Sequence, residues 1–165
     1  MRQAAAVCAA THQDIDAGES LLALLDDVNL AVARQAATAL GRIGQSQAVP
    51  RLLRMFEQAP DRMLEHAVIY ALIEINAPEA TAFGLESSSP PVQRATLIAL
   101  DQMENPTLTA EMVAPLFSTE HVGLLEAAVD VVSRHPNWTE MVVGGLKRSL
   151  TAAERTEERQ ERLRD

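Results

Sequence analysis

The chain has 165 residues, of which 47% are apolar but only 3% aromatic, with a formal net charge of −9 and one cysteine. That length supports one domain with a real core rather than two, and alanine, leucine and valine must fill it, which favours packed helices over sheets. The acidic balance repels phosphate backbones, the single Cys8 excludes an internal disulfide or a cysteine metal cluster, and no apolar run approaches the ~20 residues of a membrane-crossing helix.

The N-terminal segment RQAAAVCAA, from Arg2, is rich in alanine. It lacks the continuous apolar block and small-residue cleavage site of a signal peptide, so either a cytoplasmic chain or a piece of a longer one is expected. Related segments follow: RQAATALGRI from Arg34, HAVIYALIEI from His66, RATLIALDQM from Arg94 and EAAVDVVSRH from Glu126. Successive starts lie 32 residues apart, except for one interval of 28. Aligned, the copies give apolar columns: Val32, Leu64, Val92, Leu124; then Ala39, Ala71, Ala99, Val131; then Leu40, Leu72, Leu100, Val132; then Ile43, Ile75, Met103, His135. Within one copy these positions form one stripe of a helix of 3.6 residues per turn.

Before the helices stands a cap column of Asn29, Asp61, Ser89 and His121. The first three are residue types whose side chains accept from the first free backbone N–H groups. Pro90 then suits the first helical position, and Gly44 and Asn76 suit the left-handed residue that ends a helix. Cys8 falls in the Leu40 column and is expected in the core. His135 falls in the Ile43 column and is expected to end its helix before Pro136, with one ring nitrogen bonded to backbone. Trp138 is expected to staple the next helix onto that end.

Between these helices lie shorter apolar segments: ESLLALLDD, AVPRLLRMFEQ, PEATAFGLES, TAEMVAPLFST and TEMVVGGLKRSL. Each spans about three turns at 3.6 residues per turn, so each repeat reads as a helical hairpin. Pro115 should kink the fourth or delay its start. The fold class expected is all-α, an α-solenoid of four to five hairpins over residues 1–150, the first incomplete. Residues 151–165 form a charged C-terminal helix or tail. Thr151 and Glu154 there make a capping-box pattern, and Glu158 and Arg162 a favourable pair one turn apart.

The pattern D/N-x-x-V-x-R-x-x-A-x-x-A-L-x-x-I-G, best matched from Asn29 to Gly44, resembles HEAT repeats, particularly the short bacterial form also seen in phycobilisome-lyase-like proteins. The likeness covers residues 2 to 150. LEHAVIYALIEI, LTAEMVAPLF and VVSRHPNW resemble the HEAT segment of large exported bacterial proteins. There a sorbosone-dehydrogenase-like propeller precedes the repeats and a haem-binding cytochrome c domain follows. The absence of C-x-x-C-H means that this chain itself cannot carry that haem. The resemblance implies an exported bacterial protein with a scaffold role.

The cluster of His66, Glu65, Glu74 and Tyr70 invites a catalytic reading, since a histidine beside carboxylates could do acid–base work. The columns argue otherwise. His66 lies in the column Arg2, Arg34, Arg94, Glu126, which is polar in every copy. The four histidines occupy different columns with no paired spacing, so no metal site and no cofactor are expected. The resemblance implies that the helices of the arginine column line the concave face. That face would carry Arg34, His66, Tyr70, Ile73, Arg94, Ile98 and Arg134, with Tyr70, Ile73 and Ile98 as an apolar island.

The function expected is a non-enzymatic interaction or scaffold module, one segment of a larger multidomain protein. Its partner would be another protein or a neighbouring domain of the same polypeptide, with no nucleic acid and no membrane insertion. The N-terminal copy has no preceding hairpin, so a fragment or end-to-end self-association is expected. The alternative is a phycobilin-lyase-like enzyme subunit, which the repeat type permits. A HEAT-like DNA glycosylase would want a basic aromatic groove, against a pI near 4.9 and one tryptophan.

Overall fold

The computed structural model describes residues 1–58, 61–104, 107–144 and 147. The described residues form α-helices and short 3-10 turns, with no strand among them. They divide into two compact units, Met1–Leu108 and a second beginning at Thr109. The first unit is an all-α solenoid of helical hairpins, and the described residues of the second are likewise helical and turn, without strand. Among the described residues, no helix is long and apolar enough to cross a membrane. The expected boundary at residue 151 and the Thr151, Glu154, Glu158 and Arg162 features lie outside the described residues.

In the first unit, α1 (Arg2–His12), α3 (Leu30–Arg42), α5 (Arg62–Ile75) and α7 (Pro90–Gln102) are the helices of the repeating stripe. They pack side by side in chain order, most extensively α3 against α5. The shorter α2 (Gly18–Leu24), α4 (Val49–Arg54) and α6 (Pro78–Ala82) make a second layer, in which α2 packs on α3 and α6 on α7. Val32, Leu64 and Val92 are buried, as are Ala39, Ala71 and Ala99, and Leu40, Leu72 and Leu100 are wholly inaccessible. The first three apolar columns are therefore the core of this unit, whereas Ile43 in the fourth, like Val132 of the second unit, is only half-buried. Helix–helix distance is set by alanine and glycine: an added Cβ on Gly41 would stand 2.8 Å from the Ala71 Cα across the α3–α5 contact.

Helix ends follow their chemistry, with one exchange. Asn29 accepts from the Ala31 N–H and Asp61 from the Leu64 N–H. Gly44 and Asn76 take left-handed conformations, with φ of 69° and 49°. Ser89, however, makes no side-chain cap; its own N–H donates to the Ser87 hydroxyl. Pro90 has no N–H at the first helical position and Pro91 removes the one at the second, one of the two that a cap could serve, which leaves a capping hydroxyl less to bond there. His121 does cap, its Nδ1 accepting from the Leu124 N–H at 3.2 Å.

The second-layer helices are not uniform three-turn α-helices. After α4 the chain tightens into a 3-10 turn at Met55–Gln58, and after α6 into another at Phe83–Glu86. In the second unit α8 (Ala110–Val113) passes into a 3-10 turn at Ala114–Ser118, which contains Pro115. The same switch occurs twice without proline, so Pro115 accommodates the tighter winding rather than being its general cause. That unit also holds α9 (Val122–Arg134), with Leu124, Ala128 and Val131 buried, a 3-10 turn at Pro136–Trp138, and a further helical stretch at 139–144 that buries Val142.

Two core assignments are corrected. Cys8 is exposed, and so is Val7; α1 buries Ala6, Ala9 and Ala10 instead. The second-layer helix α2 packs on α3, the stripe helix that follows it, and Val7 and Cys8 of α1 stay exposed. His135 is half-buried rather than core, because its ring stacks on Trp138 with centroids 3.9 Å apart and planes 10° apart. Trp138 thus closes the end of α9 through that histidine.

Candidate interaction groove

The columns that point away from the second layer meet along the α3–α5 contact. From α3 come Arg34, Gln35 and Thr38, each one turn or less from the next. From α5 come Met63, His66, Ala67 and Tyr70, at the spacing that puts them on one helix face. Together they line a surface groove of about 490 Å³. Its lining is mostly apolar in surface because Met63, Ala67 and the Tyr70 ring supply the floor and wall. Tyr70 is 48% exposed, a large aromatic surface for a chain with so few aromatics.

The polar groups of the groove are differently engaged. The Thr38 hydroxyl donates to the Arg34 carbonyl at 3.0 Å, so its hydrogen is already used. The Arg34 guanidinium is half-buried and has no ion pair among the described residues. Its column mates are paired: Arg2 Nε lies 2.9 Å from Asp27 Oδ2, and Arg94 bonds Glu65 of the preceding stripe helix. One turn beyond Tyr70, a Glu74 carboxylate oxygen is buried at the Gly41 crossing with no hydrogen-bond partner among the described residues. One end of the α3–α5 line is therefore cationic and the other carries a carboxylate.

Of the seven face residues expected from sequence, three line this groove: Arg34, His66 and Tyr70. Ile73 and Ile98 are half-buried and line none of it. Arg94 ties α7 to α5 through Glu65, a link inside the fold. Arg134 lies in the second unit and bonds Asp130 one turn earlier on α9, at 2.6 Å.

A second groove of about 490 Å³ was not anticipated. It lies between the second-layer elements, with Leu53 and Arg54 of α4 facing Ala80 of α6 and Phe83 and Gly84 beyond it. Phe83 is 70% exposed. The signal available in sequence was FG in PEATAFGLES, where a glycine follows the large side chain. An added Cβ at Gly84 would stand 2.0 Å from the Thr96 hydroxyl oxygen, so that turn lies directly on α7. Among the described residues, no group of three His, Cys, Asp or Glu side chains is placed to hold a metal ion.

Residues 1–73 match the family model for HEAT repeats. With the helical hairpins described above, the match supports a HEAT-repeat helical protein. The matched stretch carries α1, α3 and most of α5, including every residue that lines the α3–α5 groove. No curated protein matches the chain.

Proposed function

We propose that this chain is a non-enzymatic protein-interaction module, one segment of a larger multidomain protein, that receives its partner in the α3–α5 groove. The observation that carries this reading is the groove itself: exposed Tyr70 and His66 beside a half-buried Arg34 that no described acid neutralises. HEAT repeats are commonly protein-interaction scaffolds, which agrees with it. Membership of a larger protein is supported by the resemblance to HEAT segments that sit between other domains.

The face is centred on Arg34, His66 and Tyr70, with Ile73, Arg94 and Ile98 along its flank. An aromatic and an arginine in a shared depression are the residue types that most often dominate a protein interface. Panning a displayed peptide library against the full chain tests the reading. Enriched peptides should lose binding to Tyr70→Ala, a half-exposed substitution expected to leave the melting temperature nearly unchanged. Peptides that bind Tyr70→Ala as well as the parent protein would remove the groove from consideration.

A further inference from the structure

We infer that the α3–α5 groove selects acidic protein segments, taking an Asp or Glu carboxylate on Arg34 with an adjoining aromatic or aliphatic side chain against Tyr70 and Met63. This rests on the interaction reading above and specifies the partner's chemistry.

Arg2, Arg34 and Arg94 occupy one column, and the fold supplies an acid to two of them. Asp27 meets Arg2, and Glu65, immediately before the column residue of the preceding copy, meets Arg94. The residue in the corresponding place for Arg34 is Met1, which carries no carboxylate side chain. Arg34 thus lacks the counterpart of Glu65 and pairs with none of the described acids. Arg34 is half-buried and shares the groove with Met63, Ala67 and Tyr70, where a carboxylate would be drawn to it more strongly than at an open surface.

Charge complementarity supports the same occupant. The chain carries 23 Asp and Glu residues against 14 Lys and Arg. Yet none of the seven residues lining the groove is acidic. The groove is a gap in an otherwise acidic molecule, open to a ligand of the same sign as the protein's net charge. Glu74, one turn past Tyr70, sets direction: it discourages a second acid there and keeps the ligand carboxylate at the Arg34 end. The apolar floor gives the neighbouring side chain of the ligand a place to bury, so recognition needs both a charge and an apolar group.

The test uses the full chain, labelled with nitrogen-15, and three N-acetylated peptide amides, GGDFGG, GGNFGG and GGKFGG, followed by NMR titration. GGDFGG should shift the amides of residues 34–38 and 63–70. It should bind about tenfold more tightly than GGNFGG, the scale of one charge-assisted hydrogen bond. Arg34→Gln should bring GGDFGG down to the affinity of GGNFGG, whereas Arg54→Gln, the same charge change on α4, should leave it unaltered. Groove shifts of equal strength with all three peptides would overturn the acidic selectivity while leaving the interaction reading in place. So would an unchanged GGDFGG affinity in Arg34→Gln. Absence of groove shifts with every peptide would count against both.

Discussion

Replacing Gly41 with alanine separates helix propensity from packing, because the two act in opposite directions there. In an isolated helix the change should stabilise by about 1 kcal/mol. In the folded protein the new Cβ would stand 2.8 Å from the Ala71 Cα, 3.2 Å from its Cβ and 2.9 Å from a Glu74 carboxylate oxygen. The Glu74 side chain can swing aside, but the Ala71 backbone can yield only if α3 and α5 move apart. Those helices share the largest interface in the first unit, between the wholly buried Ala39 and Ala71 columns. Overpacking of a close-packed contact costs about 1–3 kcal/mol, so the net effect should be a loss of up to about 2 kcal/mol. At about 2–4 °C per kcal/mol, thermal unfolding followed by circular dichroism should show a lower midpoint. Gly41→Val should fall further, because it adds volume and lacks alanine's propensity gain. Arg42→Ala, exposed and adjacent, should stay within about 0.5 kcal/mol of the parent. A midpoint raised by Gly41→Ala would refute the close crossing, and with it the groove width that α3 and α5 define.

Leu72→Ala should destabilise by about 2–5 kcal/mol in the same assay, since the side chain is wholly buried in the shared leucine column and leaves a cavity. Thr96→Val should stabilise by about 1 kcal/mol, because the Thr96 hydroxyl is buried without a hydrogen-bond partner and valine keeps the shape while removing the polar group; a lower midpoint would mean that the hydroxyl has a partner after all. In hydrogen exchange, residues 2–11 should open well before residues 92–102, since α1 buries three small side chains on one side whereas α7 buries six. Equal protection of the two helices would contradict that difference in burial.

Much of the fold is legible in the sequence because its determinants act within one helix or one turn. The columns headed by Val32, Ala39 and Leu40 repeat at a helical period, and any helix carrying that stripe must bury it. Gly44 and Asn76 mark helix ends because few residues accept a left-handed backbone, and Asn29 and Asp61 cap because their side chains reach the next free N–H groups. Ser89 and His121 depart from expectation for reasons equally local, two prolines in one case and a histidine nitrogen at the right height in the other.

Helical period and turn chemistry along the chain thus place the helices, their core stripe and the polar column that contains Arg34 and His66. Only the tertiary structure decided which neighbour each side chain meets. Arg94 and Arg34 look alike in the alignment, yet one finds Glu65 and the other none of the described acids, because pairing depends on the residue that an adjacent helix presents about thirty positions away. Cys8 and Leu40 share a column, but burial requires a covering element, and α2 covers α3 rather than α1. Tyr70 reached a groove that Ile73 and Ile98 do not line for a similar reason: a helix face has several neighbours, and periodicity does not say which of them it joins. Periodicity along one chain fixes which side of a helix turns inward, whereas contacts across helices depend on the close approach of separate backbones, set here by residues as small as Gly41 and Ala71.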